Sequence, residues 1–326
     1  MIDELQAIAD QAHAHWSVIT GTPRLVVRRE NAVFKVETNH GTAALRVHRK
    51  GYHNQAEIES ELQWMAHLAQ CGIVVPQPFA TNGGPFLAQV QDHDGESVIV
   101  DLLSWLEGDP LGNAGKPLSQ PEQRITSLFF TIGAKLAKLH MASDAWAIPA
   151  DFKRHALDRD GLVGERPAWG RFWDAACLTS DEQQLMRQTR EHTATFLDGF
   201  SRTPLDYGLI HADLVPENIL INGSHVSFID FDDAGYGFRS FDLAVALSKH
   251  RAEPAYAAIR RSLISGYRSE RHYTSEDERA IDVFIAMRDL ALLGWVDERS
   301  SEPETAARVP RVRAAALASA QWLLNQ

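Results

Sequence analysis

Residues 209–235 read LIHADLVPENILINGSHVSFIDFDDAG, from Leu209 to Gly235. Two short apolar runs, Ile219-Leu220-Ile221 and Val226-Ser227-Phe228-Ile229, flank Asn222-Gly223-Ser224-His225, a polar loop of hairpin type. Acids and an amide crowd both ends of the hairpin: Asp213 and Asn218 before it, Asp230, Asp232 and Asp233 after it. Strand-like segments normally avoid that much charge. With the hairpin centred near Ser224, Asn218 faces Asp230 and Ile221 faces Ser227. Directly opposed residues have Cβ atoms about 4.5–5.5 Å apart. An amide oxygen and a carboxylate so placed share one hard cation, and Mg2+ takes few protein oxygens and leaves the rest to water and phosphates.

Upstream, residues 24–48 carry three strand-like runs, PRLVVRREN, AVFKVETN and TAALRVH, joined by the polar connection Arg28-Arg29-Glu30-Asn31 and by a turn at NHGT. The segment NQAEIESELQWMAHLAQ starts a helix of capping-box type at Asn54, with Glu57 three residues on. Its Ile58, Leu62, Met65 and Ala69 recur at helical spacing, and Glu61 stands at the edge of that face, where a carboxylate meets a cation. Strand-like pieces follow near Phe86–Gln91 and Ser97–Leu103, and Gly and Pro between 108 and 121 mark a lobe boundary. Beyond it the long segments are helical: Ser127–Leu139, Asp181–Phe200, 255–268, 275–296 and 304–324. The expected fold is α+β and bilobal. Residues 1–106 form a small antiparallel β lobe with one helix, and residues 107–326 a larger helical lobe that only the opening hairpin interrupts.

Thirty-two basic against 43 acidic residues give a net charge of −11, which argues against nucleic acid as a partner but leaves room for a local basic cleft. Cys71 and Cys177 have no partner at metal or redox spacing and read as free thiols of a reducing cytoplasm. The start, MIDELQAIADQAHAHW, is acidic and amphipathic, without the pattern of a signal peptide. The most apolar stretches, around Ser127–Leu139 and Val283–Val296, are short or broken by Lys135, Lys138, Arg288 and Asp289, so no membrane span is expected. The expectation is a cytoplasmic protein whose partners are small molecules, monomeric or dimeric. His13, His15, His48, His53, His192 and His250 form no ligand pattern and read as surface or packing residues.

His211-Ala212-Asp213-Leu214-Val215-Pro216-Glu217-Asn218 fits H-x-D-x-x-x-x-N. In protein kinases that loop supplies the Asp that accepts the substrate hydroxyl's proton and an Asn that holds metal, and Asp230 stands where the metal-binding D-F-G begins. Taken together, HADLVPENIL and FIDFDDAG resemble the aminoglycoside phosphotransferase and choline kinase-like superfamily. These are small-molecule kinases on a protein-kinase-like fold, and the bacterial ones include type II homoserine kinases and a stress-response protein kinase. The resemblance is strongest over 209–247, moderate over 30–108, and past Leu247 rests on helical composition.

The resemblance implies ATP as phosphoryl donor, Mg2+, and a small hydroxylated acceptor. It implies Asp213 as catalytic base, His211 as brace of its loop, and Asn218 and Asp230 as metal ligands. Asp242 becomes the loop's anchor, or else the N-cap of the next helix. Asp232 is a second-shell or second-metal carboxylate, or a solvated acid. Arg46, in Ala44-Leu45-Arg46-Val47, stands where the family carries its phosphate-binding lysine, with Glu61 as its helix partner. An ordinary strand-to-helix ion pair is the alternative there, and Arg49 and Lys50 are other phosphate contacts. No G-x-G-x-x-G occurs near residue 30; Arg29-Glu30-Asn31-Ala32-Val33-Phe34 stands in its place and leaves side chains or the amides of Asn31 and Ala32 to cover phosphate. Val100–Leu106 matches the hinge, where the backbone at Leu103 or Trp105 would read adenine.

Acceptor specificity falls to the helical lobe and to residues 142–175, which hold Trp146, Trp169, Trp173, Arg154, Arg159, Arg166 and Arg171. These form either a stacking, anion-binding surface or Trp packing with solvated Arg, the latter favoured on composition. Arg288 in an apolar helix needs a partner: a structural pair, slightly preferred, or an acidic substrate. Beside the small-molecule kinase stand two other readings. One is a Ser/Thr protein kinase, disfavoured because only about ten residues separate Asp230 from Ser240, too few for an activation loop. The other is a non-catalytic nucleotide-binding module, suggested only by Arg46.

Overall fold

The structure is a computed structural model and describes residues 2–28, 31–113, 116–199 and 206–326. Arg29 and Glu30 of the expected phosphate-covering loop, and Phe200 at the end of an expected helix, lie outside the described residues. In chain order the elements begin with α1 (Ile2–Ala12), β1 (Arg24–Arg28), β2 (Ala32–Thr38), β3 (Gly41–Val47), α2 (Gln55–Gln70), β4 (Leu87–Gln91) and β5 (Ser97–Ser104). Next come β6 (Asp109–Pro110), α3 (Glu122–Asp144), β7 (Ala156–Leu157), α4 (Arg159–Val163), α5 (Ser180–Gly199), β8 (Tyr207–Ile210), β9 (Ile219–Asn222) and β10 (His225–Phe228). The chain ends with β11 (Gly235–Phe238), α6 (Arg239–Ser248), α7 (Tyr256–Glu270), α8 (Ser275–Glu298), α9 (Pro303–Ala306) and α10 (Val309–Leu324). The chain divides into two compact units.

One unit comprises Met1–Asp109, Ala145–Arg154 and Leu220–Asp232. Its frame is a five-stranded antiparallel sheet in the order β1-β2-β3-β5-β4. Alternation decides which face is buried: Ala32, Phe34 and Val36 of β2, and Ala43, Leu45 and Val47 of β3, turn to the core beside Trp16, Val100 and Leu102. Asn54 caps α2 in a full capping box with Glu57, as the sequence spacing requires. The hairpin strands β9 and β10 turn through Gly223-Ser224, with Gly223 at φ 61°. A two-residue turn puts the centre between 223 and 224 rather than on Ser224, which shifts the expected pairing by one.

The other unit comprises Pro110–Asp144, His155–Ile219 and Asp233–Gln326 and is mostly helical. Strands interrupt this unit too, for β11 pairs with β8 antiparallel and with β7 in parallel, while the opening hairpin, expected here, groups from Leu220 on with the β-sheet unit. Two-residue β7 carries no readable alternation, and its partner lies about eighty residues on, so the small sheet leaves no local trace. Gly133 on α3 and Gly266 on α7 let the two helices touch at their backbones. A Cβ at Gly133 would meet the Leu263 carbonyl oxygen at 2.0 Å, and one at Gly266 the Phe130 carbonyl oxygen at 1.9 Å. Among the described residues no helix is long and apolar enough to cross a membrane, and both cysteines are free.

Candidate active site

Asp213 sits on the loop between β8 and β9. The backbone at Ala212 is left-handed, φ 67°, a conformation that costs a non-glycine residue energy and needs support. The support is Asp242. Its carboxylate accepts the N–H of His211 at 2.9 Å and that of Ala212 at 2.7 Å, and the ring of His140 lies 3.0 Å away. His140 in turn meets the Tyr267 hydroxyl at 2.8 Å. Asp242 falls inside the first turn of α6, whose N-cap is Phe238, so it is the loop's anchor and not a helix cap. Burial raises its carboxyl to about 6 against the two backbone N–H bonds. Burial, reinforced by Arg239 and Arg271, drives the His140 pKa well down, so a neutral ring faces the carboxylate.

Within the loop, the Nδ1 of His211 accepts the Asp213 N–H at 3.3 Å. The amide nitrogen of Asn218 donates to the Asp213 carbonyl at 2.9 Å and to its Oδ2 at 3.1 Å. That orientation turns the Asn218 side-chain oxygen away from Asp213 and leaves an oxygen donor suited to a hard cation. Asp213 is 22 % exposed, and its Oδ1 accepts from Arg288 on α8 at 2.5 Å. Burial raises the Asp213 pKa and Asp233 adds to the rise, while Arg288 opposes it. The partner of Arg288 is therefore the loop acid. Its chain neighbour Asp289 is taken by Arg251 at 2.5 Å and Ser319 at 2.8 Å.

Trp169 and Trp173 of the 142–175 segment are buried. Arg288 lies over the Trp169 ring, 5.1 Å to its centroid, and Phe241 stacks with the same ring at 6.0 Å. The Trp169 indole N–H donates to Asp233 Oδ1 at 3.4 Å. Arg159 and Arg171 are exposed, as the packing reading expects, whereas Trp169 packs beneath Arg288 and donates to Asp233.

In the β-sheet unit a second cluster forms around Arg46. Its NH1 donates to Glu61 Oε1 at 2.8 Å, and its Nε and NH2 donate to the two carboxylate oxygens of Asp101 at 2.9 and 2.7 Å. His48 joins Asp101 at 2.6 Å. Burial works against these charges, but mutual attraction prevails: Arg46 rises well above its usual value, Glu61 falls, and Asp101 falls to about 2. The expected Arg46–Glu61 pair is present, and Asp101 is the member that sequence reading missed. Arg46 and Asp101 are directly paired across β3 and β5, a signal readable once that pairing is known.

Asn31 donates to Asp232 Oδ1 at 3.3 Å and accepts the Arg49 N–H at 3.2 Å. Lys50 instead pairs with Asp92 and Glu96. Asp232 is 6 % exposed, which removes the solvated-acid alternative. Burial first, then Glu61, raises its pKa. Arg154 donates to the Asp232 carbonyl and, at 3.1 Å, to the Glu57 carbonyl. Asp230 is exposed with φ 67°, and Phe231 beside it packs edge-on against Trp64 at 5.4 Å. An exposed carboxylate is an oxygen donor of the kind Mg2+ takes, and not one that a thiophilic metal prefers. At the expected hinge, Leu103 pairs with Ala44, the Trp105 N–H donates to the Thr42 carbonyl at 3.1 Å, and Lys35 lies over the Trp105 ring at 4.7 Å.

The profile of the phosphotransferase enzyme family matches residues 22–278. A homoserine kinase of Brucella ovis is 27% identical over 290 residues, which span 86% of this chain and 80% of that one. The structure of a microcompartment-associated aminopropanol kinase is 31% identical with a TM-score of 0.82, covering 98% of this chain and 97% of that one. An amicoumacin kinase solved with AMP-PNP and Ca2+ has a TM-score of 0.76 at 18% identity over 97% of this chain and 96% of that one, a likeness of fold. The α+β, protein-kinase-like architecture expected from the sequence is the one these structures share.

Proposed function

The chain belongs to the phosphotransferase enzyme family, and on that footing we propose that it moves the γ-phosphoryl group of ATP to a hydroxyl of a small molecule, with Asp213 as base. The observation that carries the reading is the construction around Asp213. A buried carboxylate, Asp242, spends two backbone hydrogen bonds on holding the strained residue before it, and Asn218 steadies its side chain. A surface acid needs none of this.

In the proposed reaction the acceptor oxygen attacks the γ-phosphorus, the bond to ADP breaks, and the acceptor's proton passes to Asp213. Burial raises the proton affinity of that carboxylate and thereby its strength as a base. His211 braces the loop through Nδ1. Asn218 and Asp230 would hold Mg2+, which when bound neutralises phosphate charge. Residues 1–106 serve the nucleotide and residues 107–326 the chemistry and the acceptor. Arg46, steered by Glu61, supplies positive charge toward phosphate, Asn31 supports the phosphate-covering loop, and the backbone at Leu103 or Trp105 reads adenine.

The test is ATP consumption by purified protein against amino alcohols, hydroxy amino acids, sugars and aminoglycosides, with Asp213→Asn alongside. Acceptor-dependent ADP release that Asp213→Asn abolishes is expected. Undiminished turnover by the variant excludes Asp213 as base. Transfer to added basic proteins in place of small acceptors would favour a Ser/Thr protein kinase, and nucleotide binding without transfer to any acceptor or water a non-catalytic module.

A further inference from the structure

Arg288 is out of proportion to the work visible around it. It stands on the largely apolar α8, its side chain only 11 % exposed, yet among the described residues only one of its guanidinium nitrogens, NH2, meets a protein oxygen, that of Asp213. A guanidinium taken from water regains its solvation only through hydrogen bonds, and its planar fork suits a two-oxygen anion. Its face is already fixed on Trp169, which Phe241 backs, so the fork has little freedom to turn. A second cation, Lys249 at the end of α6, lies within electrostatic reach of both Arg288 and Asp213, and burial first and Arg288 second lower its pKa. The adjacent Asp289 offers no relief, being held by Arg251 and Ser319. The surroundings of the loop acid therefore carry an incompletely paired, rigid, bidentate cation, an arrangement that favours an anion and disfavours a purely cationic amino alcohol.

We propose that Arg288 binds a carboxylate of the acceptor, so that the acceptor is a small molecule bearing both a hydroxyl and a carboxylate. This rests on Asp213 being the base. The acceptor carboxylate takes the fork of Arg288, the pair with Asp213 loosens as the hydroxyl arrives, and Asp213 is released to accept the proton. Arg288 is thus a specificity residue that also keeps the base occupied until the correct acceptor is present. Two of the relatives named for their acceptors differ at this point: homoserine carries a carboxylate and aminopropanol does not.

The experiment compares homoserine with the aminopropanol left when its carboxylate is replaced by hydrogen, and serine with ethanolamine, by ADP release at saturating ATP. The wild-type chain should favour the carboxylate-bearing member of each pair in kcat/KM by about 10²- to 10³-fold. Arg288→Gln should collapse that ratio toward one through KM, and Arg288→Lys, which keeps charge without the fork, should recover part of it. AMP-PNP affinity and the thermal transition should stay at wild-type values, which separates the effect from misfolding. Preference for the amino alcohols overturns the proposal. So does an equal loss on both members carried by kcat, because Arg288 would then serve the transferred phosphoryl group. A panel of carboxylate-bearing hydroxyl compounds that are neither phosphorylated nor bound by calorimetry also overturns it. Asp213→Asn is run in parallel: turnover surviving in that variant removes the base, whatever Arg288 does.

Discussion

Arg46 and Arg288 are each nearly buried and each salt-bridged to acids, yet the two clusters are opposites. Around Arg46 three guanidinium nitrogens meet three carboxylate oxygens of two acids, and both acids are pulled below their ordinary range. Around Arg288 one nitrogen meets one oxygen, and the acid stays above its ordinary range. The first is a closed bracket between two strands and a helix: its hydrogen bonds are used up, and what it keeps for a phosphate is charge. The second is half-open. The same residue types serve as framework when their hydrogen bonds are used up and as exchangeable machinery when they are not.

The sharpest way to break this contrast is Asp213→Asn. The open pair should cost rate: turnover falls about 10²- to 10⁴-fold while AMP-PNP binding stays, as read by ADP release and calorimetry. Arg46→Met should do the reverse, because it strands two buried carboxylates. A loss of about 3–5 kcal/mol in urea unfolding is expected, and a loss below about 1 kcal/mol would reopen the bracket as a surface-like pair.

Acid should then separate the two. Asp101 is held at about 2 against an ordinary 3.8. A depressed carboxylate adds stability above its unfolded value that is lost as pH falls through its folded one. So about 2 kcal/mol should disappear between roughly pH 4 and pH 2, and Arg46→Met should lack that dependence. Asp213 behaves oppositely. Its raised pKa moves the acid limb of kcat/KM up from where a free aspartate would put it, and Arg288→Gln moves it higher still, since Arg288 is what opposes the rise. The smallest effect is Asn54→Ala. It loosens the start of the helix that carries Glu61 without touching the bracket and should cost only about 1 kcal/mol.

Much of this was legible in the chain. Spacing joined to the hairpin context and the family resemblance singled out Asp213, Asn218 and Asp230, the capping box marked the start of α2, and alternation marked the strands of the sheet. What sequence reading missed was long-range. Arg288 lies 75 residues from Asp213 and Asp101 lies 55 from Arg46, distances over which no periodicity connects partners. The ten-residue helix after Phe238 starts before Asp242 rather than after it, and its burial leaves no polar face to mark its bounds. Charge left a solvated Asp232 open as a reading, whereas it lies buried beside Asn31 and Arg154.

The crossing of α3 and α7 at Gly133 and Gly266 bears on how the catalytic loop keeps its shape. Side chains between helices act as a compliant layer that absorbs small displacements, and here that layer is missing. His140 rides on α3 and Tyr267 on α7, so the hydrogen-bonded chain ending at Asp242 hangs from what is mechanically one slab. Alignment of the loop is thus referenced to a rigid datum, and adjustment to a substrate falls to groups mounted elsewhere.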